Sequence, residues 1–182
     1  MCKYFSCIVL RDTTVLWSKQ TNSHNDLISQ NKLKDDKLEN RDFVKIEIMP
    51  KDKTAVTRDK KDWNFKVDEE GTLPVWYTKN QAKYEKLIWT EWKKSISEQI
   101  ALKGEEKEFL NCFGFSFGAK ITIKGNSTVE AWDNSTVDAS GNSTVEASGN
   151  SIIIKEKESR WNFAFKGKIT VSSKTAQIIQ RK

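Results

Sequence analysis

From Asn126 to Asn150 the chain reads NSTVEAWD, NSTVDASG, NSTVEASG and a closing Asn, a tandem octapeptide. A fixed short period means one small structural unit stacked on copies of itself, because a single eight-residue unit cannot bury its own apolar face. Carried back in steps of eight, the Val129 position meets Ile121 and Phe113. Carried forward it meets Val137, Val145, Ile153, Trp161 and Ile169. The Ala131 position runs Phe115, Ile123, Ala131, Ala139, Ala147, Lys155, Phe163 and Val171, broken only by the lysine. The Ser127 position stays small through Ser135, Ser143 and Ser151. This register gives eight octads from Leu110 to Ser173, with Ala176 to Ile179 as a further strand.

Two architectures share such a period: an antiparallel meander and a parallel coil. In a meander with two-residue turns, the residues flanking each turn share a face. Val and Ala would then change sides in every strand. A coil keeps Ser, Val and Ala inside in every octad and leaves Thr128, Glu130 and their equivalents outside. The sequence therefore predicts a solenoid. With two octads per coil, four coils stack to about 19 Å at roughly 4.8 Å each. Every sixteenth residue then stacks, which places Asn126 over Asn142 and Asn134 over Asn150 as corner amide ladders. Glycine and asparagine there tolerate left-handed backbone angles. Phe113, Phe115, Trp161 and Phe163 flank the thin Ser/Val/Ala interior as bulky ends.

The first half mixes strand and helix signals. Lys3 to Leu10 reads as a strand, Arg11-Asp12-Thr13 as a turn and Thr14 to Ser18 as the hairpin partner. Ser23 caps a helix, with Asp26 returning a bond to the cap amide and Leu27 and Ile28 facing the core. Phe43 to Met49 alternates as a half-buried strand, and Trp63, Phe65 and Val67 mark another that ends at Asp68-Glu69-Glu70-Gly71. Thr78 with Gln81 forms a capping box for a helix whose stripe is Tyr84, Leu87, Ile88, Trp92, Ile96 and Ile100. The expected fold class is an α+β N-terminal domain (residues 1–105) followed by a short all-β solenoid or β-roll of octapeptide repeats with a C-terminal cap (residues 110–182).

The net charge of +6 is not evenly spread. Residues 151–182 carry eight basic against two acidic residues, and Lys155, Lys157, Arg160, Lys166 and Lys168 are interleaved with Trp161, Phe163 and Phe165. That mixture superficially suits nucleic acid; a charged cap that keeps a solenoid end soluble is the preferred explanation. Cys2 and Cys7 lie five apart in a strand, on opposite faces, and do not pair. The N-terminal apolar stretch is short and has no cleavage pattern, so a reducing cytoplasm is the expected compartment. No run approaches the length of a membrane span.

Catalytic constellations are sparse. Removal of Met1 would expose Cys2 as an N-terminal nucleophile of the amidohydrolase kind, but no glycine-rich continuation or oxyanion donors follow. His24, the single histidine, sits at a helix start as an ordinary surface residue and rules out any two-histidine metal site. Cys2, Cys7 and Cys112 match no zinc spacing, and Asp133 is one aspartate in a corner otherwise held by Gly125, Gly141 and Gly149. No catalytic residue, metal or cofactor is expected. The most regular exposed feature is a ladder of Thr128, Thr136 and Thr144 with Glu130, Asp138 and Glu146. Trp132, where other repeats have Ser140 and Ser148, is its contact anchor. Duplication alone would also produce such a ladder, with water as its only partner.

The opening MCKYFSCIVLRDTTVLW, the segments SHNDLI, FVKIEIMP and WNFKVDEEGTLPVWY, and the octapeptide array together resemble uncharacterised phage and prophage proteins with an N-terminal α+β domain and octapeptides of the S-[AT]-V-x-A type. The resemblance brings no activity or catalytic residues. It implies a setting: a phage-encoded protein in the host cytoplasm or on the virion. Such a protein binds a host protein, for instance to inhibit a defence system, or serves as a virion accessory component, and its exposed coil ends invite homo-oligomers. A nucleic-acid-binding protein is the alternative, and no membrane role is expected.

Overall fold

The computed structural model describes residues 4–34, 36–52, 54–156, 168–171 and 177–181. The chain divides into two compact units, Met1–Lys51 with Arg58–Glu98, and Asp52–Thr57 with Gln99–Lys182.

The first unit is built on an antiparallel sheet. Strand β1 (Phe5–Leu10) turns through Arg11-Asp12-Thr13 into β2 (Val15–Leu16), then helix α1 (His24–Gln30) leads to β3 (Phe43–Pro50) and β4 (Trp63–Val67). The order across the sheet is β2-β1-β3-β4. Being central, β3 is buried on both faces rather than half-buried; even Glu47 is covered. On one face Ile8 and Phe43 meet Leu27 of α1, with Ile28 beside them. On the other, Trp63 packs edge-on against Trp92, and Phe65 lies against Trp89. Those tryptophans belong to α3 (Gln81–Gln99), which follows the short α2 (Val75–Thr78).

Two helix starts differ from expectation. Ser23 does cap α1, its hydroxyl accepting from the Asp26 amide. Asp26, however, accepts from the Thr21 hydroxyl (2.7 Å), which itself accepts from the Ser23 amide (3.0 Å). The return bond thus runs through a threonine that the four-residue pattern does not include. The Thr78–Gln81 box is not formed. Thr78 closes α2 by donating to the Val75 carbonyl, Gln81 donates to Glu85, and the Asn80 carbonyl accepts from Tyr84 at the start of α3.

The second unit is a parallel β-solenoid of about four turns over residues 100–155. Its strands are β5 (Ile100–Leu102), β6 (Glu106–Leu110), β7 (Phe113–Phe117), β8 (Lys120–Lys124), β9 (Thr128–Trp132), β10 (Thr136–Ala139), β11 (Thr144–Ala147) and β12 (Ile152–Glu156), continued by β13 (Lys168–Val171) and β14 (Gln177–Arg181). Alternate strands form two five-stranded parallel sheets, β6-β8-β10-β12-β14 and β5-β7-β9-β11-β13. The array has the predicted coil length: Thr136 pairs with Lys120 and Ile152, Thr144 with Thr128, each sixteen residues apart. Ser, Val and Ala of every repeat face inward and are buried.

The corners explain the rest of the octapeptide. Gly125, Gly141, Gly149 and Asp133 all take positive φ. Gly141 stacks on Gly125 and Gly149 on Asp133 so closely that a Cβ at either glycine would meet backbone at about 3 Å. Each inward serine then closes its corner, Ser127, Ser135, Ser143 and Ser151 donating to the carbonyl three residues earlier at 2.6–2.7 Å. A buried hydroxyl so satisfied carries no desolvation penalty. Of the amide ladders, Asn150 donates to Asn134 at 3.3 Å, while the Asn126 backbone amide is taken by Asn111.

One octad beyond the array the eight-step extrapolation holds, Ile121 and Ile153 both pairing with Val137, but further out it fails in both directions. Toward the N-terminus the solenoid starts at Ile100, ten residues before the octad count does, and its coils are shorter: Glu106 pairs with Lys120, fourteen residues on, and Gly114 with Val129, fifteen on. Gly114, not Phe113, therefore holds the Val position. The reason is Phe109, whose buried ring would lie 2.8 Å from a Cβ at residue 114, so that the inner site is already full. Phe113, Phe115 and Phe117 turn to the outer side of β7, where they are nonetheless buried. Toward the C-terminus Val145 pairs with Ile169, and Ile153 with Ile178. Ile169 thus takes the place the octad count gives to Trp161; Trp161 and Phe163 themselves lie outside the described residues.

Candidate functional site

Strand alternation gives each solenoid sheet one outer face, and the two faces differ. On β5-β7-β9-β11-β13 the outer rows are Phe113–Thr128–Thr144, Phe115–Glu130–Glu146 and Phe117–Trp132–Ser148. On β6-β8-β10-β12-β14 they are Glu106–Lys120–Thr136–Ile152–Gln177 and Glu108–Thr122–Asp138–Ile154–Ile179. The predicted Thr/acid ladder is therefore not one surface. Thr128, Glu130, Trp132, Thr144 and Glu146 lie on one side of the stack, Thr136 and Asp138 on the other, because a sixteen-residue coil sends successive octads to opposite sheets. Trp132 is half-buried rather than exposed, and it continues the row begun by the buried Phe117.

The second face carries what the sequence reading overlooked. Its first two strands are zipped by ion pairs, Lys120–Glu106 at 3.0 Å and Lys124–Glu108 at 2.6 Å. Further along, Ile152 and Ile154 occupy the outward places that Thr128 and Glu130 hold in the array, and Ile179 beyond them is 46% exposed. The signal was present: in SIIIK all of the Thr, Val and Glu positions are isoleucine.

The basic cluster is not assembled on one sheet among the described residues. Lys155 falls on β12 opposite Ala139, in the inner column, and Lys168 on β13 opposite Thr144. Lys157, Arg160 and Lys166 lie outside the described residues, as does Cys2.

The first unit holds a buried polar network centred on the turn after β4. His24 is not a surface residue. It is 3% exposed, with Nε2 3.0 Å from the Ile46 carbonyl and Nδ1 3.4 Å from Asp68. Asp68 also accepts from Lys66 at 2.9 Å, which holds its carboxyl below the ordinary range. Next to it, the almost fully buried Glu69 carboxylate meets Arg41 (3.5 Å) and Lys45 (3.4 Å) and accepts from the Lys45 amide (3.0 Å). These contacts fasten the turn to β3. A depressed folded-state pKa means that the Asp68 contribution is present above the unfolded carboxylate range and lost as pH falls through the lower folded value. Lys66→Met should therefore flatten the loss of stability below about pH 4, read by urea unfolding at a series of pH values.

Cys7 is fully buried, and burial, reinforced by the Glu91 charge, pushes its thiol far up, so no reactive thiolate forms there. In the folded protein a thiol reagent should modify the half-exposed Cys112 while Cys7 stays protected until denaturant is added. An open cleft of about 580 Å³ lies beside β1, floored by Leu10, Leu33 and Phe43 and rimmed by Arg11, Lys32 and Asp42. Its basic and acidic groups balance, and Arg11 is already paired with Asp42 at 3.1 Å.

Among the described residues no three His, Cys, Asp or Glu side chains are grouped to hold a metal ion, and no helix is long and apolar enough to cross a membrane. No family model matches this chain. Neither the curated proteins nor the solved structures include one similar to it at a significant level.

Proposed function

We propose that the chain is a non-enzymatic protein-binding or assembly module whose docking surface is the outer face of β10, β12 and β14. The observation that carries this reading is the replacement of the Thr/acid pattern by Ile152 and Ile154, with Ile179 exposed beside them. The patch is bordered by Thr136, Asp138 and the Lys120 and Lys124 ion pairs. Apolar side chains on an outer face, rimmed by polar ones, favour association with another apolar surface. The coil beneath is fixed by a ladder hydrogen bond at every step, so little ordering entropy is lost on binding. The resemblance to phage and prophage proteins supports a host protein as partner and the host cytoplasm as the setting, with a virion accessory role as the other assembly of the same kind.

The test compares tagged wild-type protein, an Ile152→Lys/Ile154→Lys variant and a Glu146→Lys control on the opposite face, each incubated with nuclease-treated host lysate. A stoichiometric protein retained by wild type and control but lost by the double variant is the expected result. Retention by all three would move the site elsewhere, and recovery of nucleic acid alone would overturn the protein-binding reading. Outward substitutions of this kind should leave stability within about 0.5 kcal/mol.

A further inference from the structure

Helix α3 carries four lysines and three glutamates, so its charge nearly balances, yet the two signs are segregated around its circumference. With about 3.6 residues per turn, Lys83, Lys86, Thr90, Lys93, Lys94 and Ser97 fall within roughly 100° of arc. All six are exposed, on the side away from the buried Ile88, Trp92 and Ile96. The glutamates lie outside that arc and are already engaged. Glu85 accepts from Gln81 at 2.8 Å, Glu91 accepts from the Trp17 indole at 3.1 Å and pairs with Lys94, and Glu98 pairs with Lys19. Lys83, Lys86 and Lys93 have no ion-pair partner among the described residues. A further cation joins them from the turn before β4: exposed Lys60 holds its ammonium over the Trp89 ring, 4.6 Å from the centroid. Trp89 stands one helical turn from both Lys86 and Lys93.

Helix stability does not account for this arrangement. Lys83 stands in the first turn of α3 and Glu98 in the last, each the unfavourable sign for the helix dipole at that end. Lys83 and Lys86, three residues apart on one face, repel each other. Charges placed for stability alone would be reversed. The compensating interaction is an anion bound along the stripe.

We propose that this stripe binds the phosphate backbone of a nucleic-acid duplex without regard to sequence. Lysine offers a compact point charge and no planar fork, so it reads charge rather than base edges. A single strand calls for exposed rings on which bases stack, and Tyr84, Trp89 and Trp92 of α3 are all buried. A membrane-surface helix turns its apolar face to lipid, whereas Trp89 and Trp92 are packed against Phe65 and Trp63 of the sheet. The cores of protein interfaces are depleted in lysine. The dimensions fit as well. From Lys83 to Lys93 the helix advances about 15 Å, and a strand of duplex advances ~3.4 Å per phosphate. Roughly four phosphates therefore come within reach, matching Lys60, Lys83, Lys86 and Lys93. The stripe belongs wholly to the first unit, so it and the solenoid docking face stand or fall separately.

Fluorescence anisotropy of a labelled, mixed-sequence DNA duplex titrated with the full chain tests this. Affinity should fall with added salt, with a slope of log K on log salt of about −3.6, four phosphates at about −0.9 each. Lys83→Gln/Lys86→Gln/Lys93→Gln should weaken binding at low salt by at least about tenfold and bring the slope to about −0.9. Glutamine is as good a helix former as lysine, and an unchanged circular dichroism spectrum checks that the variant is folded. Lys32→Gln/Lys34→Gln/Lys51→Gln removes the same charge from exposed positions elsewhere in the unit and should bind as wild type does. Absence of salt-dependent binding, an equal loss in that control, or a loss produced only by Lys157→Gln/Arg160→Gln/Lys166→Gln overturns the proposal. So does tighter binding of the single strand than of the duplex, or co-sedimentation with phosphatidylserine vesicles in place of duplex binding.

Discussion

Val137→Asp is expected to destabilise the solenoid by at least about 3 kcal/mol, whereas Thr136→Asp, one residue away on the same strand, should cost no more than about 0.5 kcal/mol. Val137 is fully buried between Ile121 and Ile153 in the inner column. A carboxylate in this fully buried column must lose its hydration or its charge, and either is costly. Thr136 points outward beside Lys120, where an added carboxylate meets solvent and a nearby ammonium. The pair is best measured by hydrogen exchange of the β8, β10 and β12 amides, which reports the solenoid separately from the rest of the chain. Equal losses from the two variants would mean that Val and Ala change sides between octads, as in a meander.

In the first unit the largest loss should follow Trp92→Ala, about 3–5 kcal/mol. Trp92 is fully buried and its ring meets two others edge-on, Trp63 on β4 with centroids 5.3 Å apart and Trp89 one helical turn away at 5.0 Å. Truncation removes the side chain that joins helix to sheet and leaves a cavity that two rigid indoles cannot fill. Urea unfolding followed in the near ultraviolet, where tryptophan packing is read directly, is the appropriate measurement. A loss under 1 kcal/mol would show that α3 is held chiefly by other residues of its stripe.

What could be read from the chain, and what could not, follows from the range of each constraint. The array was legible because its inner column is decided locally: Ser, Val and Ala recur at the same phase, and parity alone separates a coil from a meander. The flanks were not, because an eight-residue step assumes coils of constant girth. The first coils are two and one residues shorter, and one large inner side chain, Phe109, leaves room only for glycine at 114, a trade made between residues on different strands. The site was hidden for a related reason. Thr128 and Thr136 are alike in sequence, and only the number of octads per turn decides that they face opposite ways. His24 was misread because a helix start shows its local cap but not the β3 carbonyl and Asp68 against which the ring is folded. By contrast Leu27, Trp63 and Trp92 follow from periodicity because each simply faces the sheet or lies in it.

The unequal coils solve a problem that near-identical repeats create. NSTVDASG and NSTVEASG differ by a single methylene, Asp138 against Glu146, so a growing stack could pair any repeat with the wrong neighbour at almost no energetic difference. A one-coil slip would preserve the Ser, Val and Ala columns while dropping a whole turn from the assembly. The short first coils remove that freedom. Only one placement sets Phe109 against Gly114 and leaves fourteen and fifteen residues for the turns that follow. The irregular coil thus acts as an index mark from which the repeats are counted, and filling residue 114 would be felt less as lost packing than as lost count.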